Sequence, residues 1–294
     1  SLTHSHVDFN NFILIHNGAT LVMDEGFNRT SKAEIHNLIT VDGTGCVGEK
    51  IWEEGNLTDP VLLDLNSKGI HNVWKNVPQE AIAFIESYTN EGGYTHIVGE
   101  SSKMYYPEMK LTRNARHIIN SENGYFIILD ELESKKEHIY TWRIHSEKLA
   151  TRLSENKYEI INGTGRMNIH TLYPENSNKE VDEMIIKEVM TPQRPKDIRK
   201  ISLKTLMIEN CKKERNIIFL NILVPKDIFG KDEVNIKKIE SGNQKGVEIR
   251  GKDFFEIFIF SKDGKINYEN KIINGKWISI VKDINDNILK EKIY

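Results

Sequence analysis

The chain has 294 residues, 40 basic against 43 acidic, for a formal net charge of −3. That balance offers no electrostatic footprint for a nucleic-acid binder. The two cysteines, Cys46 and Cys211, exclude a disulfide scaffold and a four-cysteine zinc site, leaving one bridge or two free thiols. No apolar run is long enough to span a membrane; the greasiest, "NIIFLNILVP", falls well short. No signal peptide is visible. The chain begins with Ser1 and not Met, so an upstream segment is expected to have been removed.

The predicted elements are strands almost throughout. The opening, "SLTHSHVDFN", sets His4, His6 and Asp8 at alternate positions. "NFILIHNGATLVMD" follows, two apolar runs joined by Asn17-Gly18; Asn-Gly is a strong hairpin signal because both turn residues take positive φ. A hairpin turning there sets Asp24 opposite Asn11. Further strands are read in "HNLITVDG", "EAIAFIESYT", "YTHIVGES", "NARHIINS", "GYFIILDEL", "HIYTWRIHS" and "KYEIIN". "NKEVDEMIIKEVM", residues 178 to 190, reads as the one helix: Val181, Met184, Ile185, Val189 and Met190 keep helical spacing, and Pro192 and Pro195 stop it. Residues 174–198 could thus be an insertion or linker. "RNIIFLNILVP", "GVEIRG", "FFEIFIFS" and "GKWISIVKD" complete the strands, with a second Asn-Gly turn at Asn274-Gly275. Many short strands with Gly, Asn and Asp between them predict an all-β fold: a large two-layer antiparallel β-sandwich, with little helix, over 1–294 as one domain.

Some side chains could carry chemistry. In an extended chain His4 and His6 share a face and could meet one ion or substrate. Asp24 ends a strand and His36 heads another; alone, each reads as an ordinary turn or surface residue. Arg113 and Arg116 lie in "LTRNARHI", where a solvated strand face is the plain alternative to a carboxylate receptor. Tyr105 and Tyr106 read as packing residues. His16, His71, His117, His138 and His145 have no partner legible in the sequence.

Taken jointly, "THSHVDFNNFILIHNGATLVMDEGF" and "TSKAEIHNLITVDGTG" resemble the heparinase II/III-like polysaccharide lyases, in their C-terminal β-sandwich. The matching positions are His4, His6, Asp8, Asp24, Gly26, Ser31, His36, Asn37 and the "VDG" at 41 to 43. Weaker matches run on to residue 146. The resemblance implies His4 as the catalytic candidate at a substrate cleft. It implies a mainly structural zinc ion on His6, Asp24 and His36, and leaves the role of Asp8 open, one option being to orient a histidine. It implies an acidic polysaccharide substrate cut by β-elimination beside a uronic acid, whose carboxylate Arg113 and Arg116 would bind. It further implies a secreted, periplasmic or cell-surface location, and an N-terminal helical toroid that supplies an Asn or His and a Tyr. That toroid is absent here, so the chain alone is expected to hold one side of the active site and to be inactive. The polymer stays open among heparan-type glycosaminoglycans, alginate-like polyuronates and bacterial exopolysaccharides.

Two other readings compete. A metal-dependent cupin-like enzyme also uses H-x-H, but would place a Glu where Asn10 and Asn11 stand. A non-catalytic carbohydrate-binding module would need exposed platforms among Trp52, Trp74, Trp142 and Trp277.

Overall fold

The computed structural model describes residues 8–24, 33–46, 82–91, 94–191, 194–230, 234–283 and 287–293, without the side chains of 186–201. The chain divides into two compact units, Ser1–Ile228 and Phe229–Tyr294, where the sequence suggests one domain.

Among the described residues of the first unit, the strands are β1 (Leu14–His16), β2 (Ala19–Val22), β3 (Ile39–Val41), β4 (Phe84–Glu91), β5 (Tyr94–Glu100), β6 (Leu111–Ser121), β7 (Phe126–His138) and β8 (Tyr140–Ser146). They continue with β9 (Thr151–Ser154), β10 (Lys157–Asn162), β11 (Gly165–Tyr173), β12 (Ser177–Thr191), β13 (Arg194–Asn210) and β14 (Glu214–Asp227). An eight-stranded antiparallel sheet runs in the order β4-β5-β6-β7-β14-β11-β10-β9, and a four-stranded one in the order β12-β13-β8-β3. The hairpin β1-β2 stands beside them. One apolar core draws Leu21, Val22, Ile39, Trp142, Ile144, Leu206 and Ile208 from the smaller sheet and the hairpin, and Ile128, Leu132, Tyr158, Ile169, Phe219 and Leu223 from the larger. Two antiparallel layers sharing one core make the predicted all-β sandwich.

The hairpin is as expected: Asn17 has φ 49 and Gly18 φ 78. A bulge between Leu14 and Ile15 shifts the register by one residue toward the open end.

The predicted helix is wrong. Residues 178 to 190 lie in β12, which pairs residue for residue with β13 from Ser177↔Asn210 to Val189↔Ile198. Val181 packs on the main core, whereas Met184 packs on Ile35 and Leu203. Apolar contacts on both sides of a strand mimic the spacing of a helical stripe. The proposed insertion at 174–198 is accordingly part of the sandwich, its hairpin continuing the sheet through β8.

In the second unit, β15 (Asn235–Ser241), β16 (Gln244–Arg250), β17 (Phe255–Ser261), β20 (Trp277–Lys282) and β21 (Ile288–Ile293) form a five-stranded antiparallel sheet. β18 (Lys265–Tyr268) and β19 (Lys271–Asn274) pair separately, and their Ile266 and Ile273 pack with Phe255, Ile257, Ile259, Ile278 and Ile280. The tight turn between them is Glu269-Asn270, both at positive φ, so Asn274-Gly275 is not the hairpin turn it resembles.

Candidate functional site

The site is assembled where the open end of the β1-β2 hairpin meets the start of β3. Asp24 follows β2, and His36 follows a short 3-10 turn at Ala33–Ile35. The Asp24 carboxylate accepts a hydrogen bond from His36 Nδ1 at 2.7 Å, with the histidine side chain fully buried and the aspartate 8% exposed. Asn11 Nδ2 donates to the same carboxylate oxygen, so the two side chains meet as expected, although the bulge carries the backbone register one residue past the pairing of Asn11 with Asp24.

Asn37 holds the surrounding backbone together. Its Nδ2 donates to the carbonyls of Phe12 and Met23 at 2.9 and 2.7 Å, its Oδ1 accepts from His145 N at 2.7 Å, and its own N–H donates to Asn11 Oδ1 at 2.9 Å. One buried amide thus ties the approach to β1, the end of β2 and strand β8 around the Asp24–His36 pair.

His145 is fully buried on β8, and its Nδ1 lies 2.8 Å from Thr205 Oγ1. Burial, with a smaller push from the Arg143 charge, lowers its pKa to about 3. Sequence reasoning assigned it no partner. Its partner is its cross-strand neighbour in the β8–β13 pairing, 60 residues away in sequence, which leaves no local signal.

Arg113 and Arg116 are three apart on β6, so their side chains emerge on opposite faces and cannot share one carboxylate. Arg116 is 2% exposed and pairs bidentately with Asp130 on β7, at 2.7 and 3.1 Å. Its Nη1 donates to the carbonyls of Asn10 and Asn37, and its guanidinium lies 5.5 Å from the Phe12 ring centroid. Arg113 pairs with Glu86, Glu100 and Glu131. Neither is a solvated arginine on an open strand face. Both have carboxylate partners within the protein.

His4 and His6 lie outside the described residues, as do Gly26, Ser31, His71, Trp52 and Trp74. Asp8, the last residue of the motif, is exposed. Among the described residues no group of three His, Cys, Asp or Glu could hold a metal. Two of the three expected ligands are nevertheless in contact. A buried imidazole beside a carboxylate is a donor set that suits zinc, so the residues present fit the expected ion as far as they are described.

Tyr105 is buried and its hydroxyl donates to the Ile39 carbonyl, while Tyr106 packs against the core. Trp142 and Trp277 are 0% and 3% exposed, so neither is a sugar platform. Both cysteines are free thiols, Cys46 buried and Cys211 exposed. No helix among the described residues is long and apolar enough to cross a membrane.

The model of the heparinase II/III-like C-terminal domain matches residues 1–204. This chain belongs to that family. The match covers the hairpin, the Asp24–His36 pair, the arginine-bearing strand and β8, and ends before the second unit. Solved structures of similar fold include a heparinase III with methylated lysines, at 12% identity and TM-score 0.57, covering 95% of this chain and 36% of that one. The heparan sulfate lyase HepC from Pedobacter heparinus aligns at 13% identity and TM-score 0.55, over 84% of this chain and 35% of its own. Another heparinase III aligns at 13% and 0.54, over 87% and 36%. The likeness is one of fold, and the chain spans little more than a third of each neighbour's length. No curated protein matches.

Proposed function

We propose that the chain is the C-terminal β portion of a secreted, periplasmic or cell-surface polysaccharide lyase that cleaves uronic-acid-containing acidic polysaccharide by β-elimination. The observation that carries this reading is the Asp24–His36 pair, buried at the hairpin end and served by Asn11, three residues after the H-x-H-x-D motif of a family member.

In this reaction a base removes the C5 proton of the uronate. The electron pair forms the C4–C5 double bond, the C4–O4 bond breaks, and an acid protonates the departing oxygen. Negative charge gathers on the carboxylate as the proton leaves and needs a neutralising partner. His4 is the proton-transfer candidate in this chain, since an unperturbed imidazole titrates near pH ~6.5. A helical domain outside this chain would supply the other groups. His6, Asp24 and His36 would hold zinc, whose contribution when bound is to tie the H-x-H segment to the hairpin and to the start of β3. The chain's own residues do the rest: Asn11 and Asn37 hold Asp24 and its neighbouring backbone in place, and Arg116 fixes the approach segment. Of the two positions where a cupin would carry a Glu, the Asn11 side chain is occupied by Asp24 and Asn37, and the Asn10 side chain bonds Gly99 O and Ser101 Oγ.

The test is direct. Elimination leaves a 4,5-unsaturated uronate that absorbs in the ultraviolet. A form carrying the helical domain should generate that signal on an acidic polysaccharide, whereas this chain alone should generate little or none. Strong activity from this chain alone would show that it supplies the remaining groups itself. No ultraviolet product from the longer form on heparan-type, alginate-like or exopolysaccharide substrates would overturn the lyase reading.

A further inference from the structure

Asn10 occupies the left-handed region, at φ 64, which asparagine tolerates better than most residues. Its Nδ2 donates into the larger sheet, toward Gly99 O at 3.1 Å, Ser101 Oγ at 3.1 Å and Asn114 O at 3.4 Å. It can reach them because position 99 has no side chain. A Cβ built there would overlap Asn10 Oδ1 and lie 3.3 Å from its Cγ. From the other side Arg116 Nη1 holds the Asn10 carbonyl at 2.8 Å.

The next residue, Asn11, contacts both halves of the candidate site. Its Nδ2 donates to Asp24 Oδ2 and its Oδ1 accepts from Asn37 N. Because Asn10 is fixed at side chain and carbonyl, Asn11 has one place to stand, and Asp24 is oriented toward His36 from there.

We propose that Asn10, seated in the notch at Gly99, is the positioning residue of the Asp24–His36 site, and that Gly99 is glycine to make that notch. The proposal rests on the preceding reading for the purpose of the site, and not for its geometry.

The readout is the ring N–H of His36 in the metal-free chain. A proton held between a buried imidazole and a carboxylate resonates far downfield and exchanges slowly, and its loss in His36→Gln assigns it. The Nδ1–H of His138, 2.7 Å from Asp42 Oδ2, reports on folding elsewhere in the same unit. In Asn10→Ala the His36 proton should exchange at least about tenfold faster, the equivalent of one buried hydrogen bond, with the His138 proton unmoved. Gly99→Ala should shift or broaden the His36 signal further. The double variant should behave like Asn10→Ala alone, because the collision goes when the Asn10 side chain goes. If Gly99→Ala fails to fold, Asn10→Ala and the double variant decide.

An absent His36 signal in the wild type would overturn the proposal. So would a Gly99→Ala spectrum with His36 unchanged, equal loss of the His36 and His138 signals, or additive effects in the double variant. Zinc titration of the wild type separates this from the metal reading. If zinc leaves His36 untouched while the Asn10 and Gly99 variants still move it, the metal site fails and the positioning role stands.

Discussion

Arg116 and Asp130 face each other across β6 and β7 in bidentate contact, each side chain 1% exposed. No smaller cation can take the place of this arginine. A lysine has one ammonium, which cannot serve two carboxylate oxygens and the carbonyls of Asn10 and Asn37 together. Breaking a buried pair leaves an uncompensated charge and costs ~3–5 kcal/mol. Arg116→Lys and Asp130→Ala should therefore both lower the denaturant midpoint sharply. Arg116→Met with Asp130→Leu, which removes both charges, should cost less than Asp130→Ala alone. Equal midpoints for wild type and Arg116→Lys would mean that the guanidinium is not holding the approach segment.

Acid should destabilise the protein well above the carboxylate range. Burial lowers the pKa of His96 to about 4, and burial, aided by the charges of Lys157 and Lys226, does the same for His170. In the unfolded chain both would take up protons below pH ~6.5. Between that value and about 4 the unfolded state thus binds more protons, so stability falls as pH falls, by ~1.4 kcal/mol per pH unit for each histidine. Urea denaturation at pH 7, 6, 5 and 4.5 reads the slope. His96→Gln with His170→Gln should make it shallower, leaving the share of His145, whose pKa burial lowers to about 3, and an unchanged slope in that variant would rule these two groups out.

Local patterns predicted local structure well. Asn17-Gly18 set the hairpin turn, and the hairpin brought Asp24 to within one residue of Asn11; a bulge moved the register, and the side-chain contact with Asn11 closes the difference. The reading failed where long-range pairing decides. Residues 178 to 190 carry a helical stripe, yet β13 supplies a full antiparallel partner, and the pairing outweighs the spacing. The opposite faces of Arg113 and Arg116 follow from their three-residue separation on a strand and could have been read off the sequence. The seat of Asn10 at Gly99 could not. It depends on residues 89 apart in sequence meeting in space, and a lone glycine in a strand pattern does not say what approaches it.

Asn37 makes a sharper test of the site than either member of the Asp24–His36 pair. Its amide nitrogen sits within hydrogen-bonding distance of two carbonyls, Phe12 O and Met23 O. Asn37→Asp keeps the shape and the acceptor for His145 N, but sets a carboxylate oxygen against both carbonyls. At pH 7 it should destabilise by ~3 kcal/mol or more, and by more than Asn37→Ala, because unpaired buried groups are joined by an unpaired buried charge. At acid pH the new carboxyl protonates and can donate to one carbonyl, so the gap between the two variants should narrow. If Asn37→Asp proves the milder change at pH 7, the amide is not donating to those carbonyls.

His4 and His6 should differ in kind although they lie two residues apart. In a form that carries the helical domain, His4→Ala should remove a proton-transfer group and leave the fold alone. General acid–base losses run to ~10²–10⁴ in rate, with melting temperature and zinc content nearly unchanged. His6→Ala should remove a ligand, and because metal binding is coupled to folding it should lower zinc content and melting temperature together. His36→Ala should do the same and also abolish the contact with Asp24. Elemental analysis, a thermal melt and the ultraviolet assay on three variants separate the roles. If His4→Ala strips the metal as His6→Ala does, His4 is a ligand and the cupin-like reading regains ground. If His4→Ala and His6→Ala both leave activity intact, the H-x-H segment has no catalytic part, and a carbohydrate-binding module is the better account of this domain.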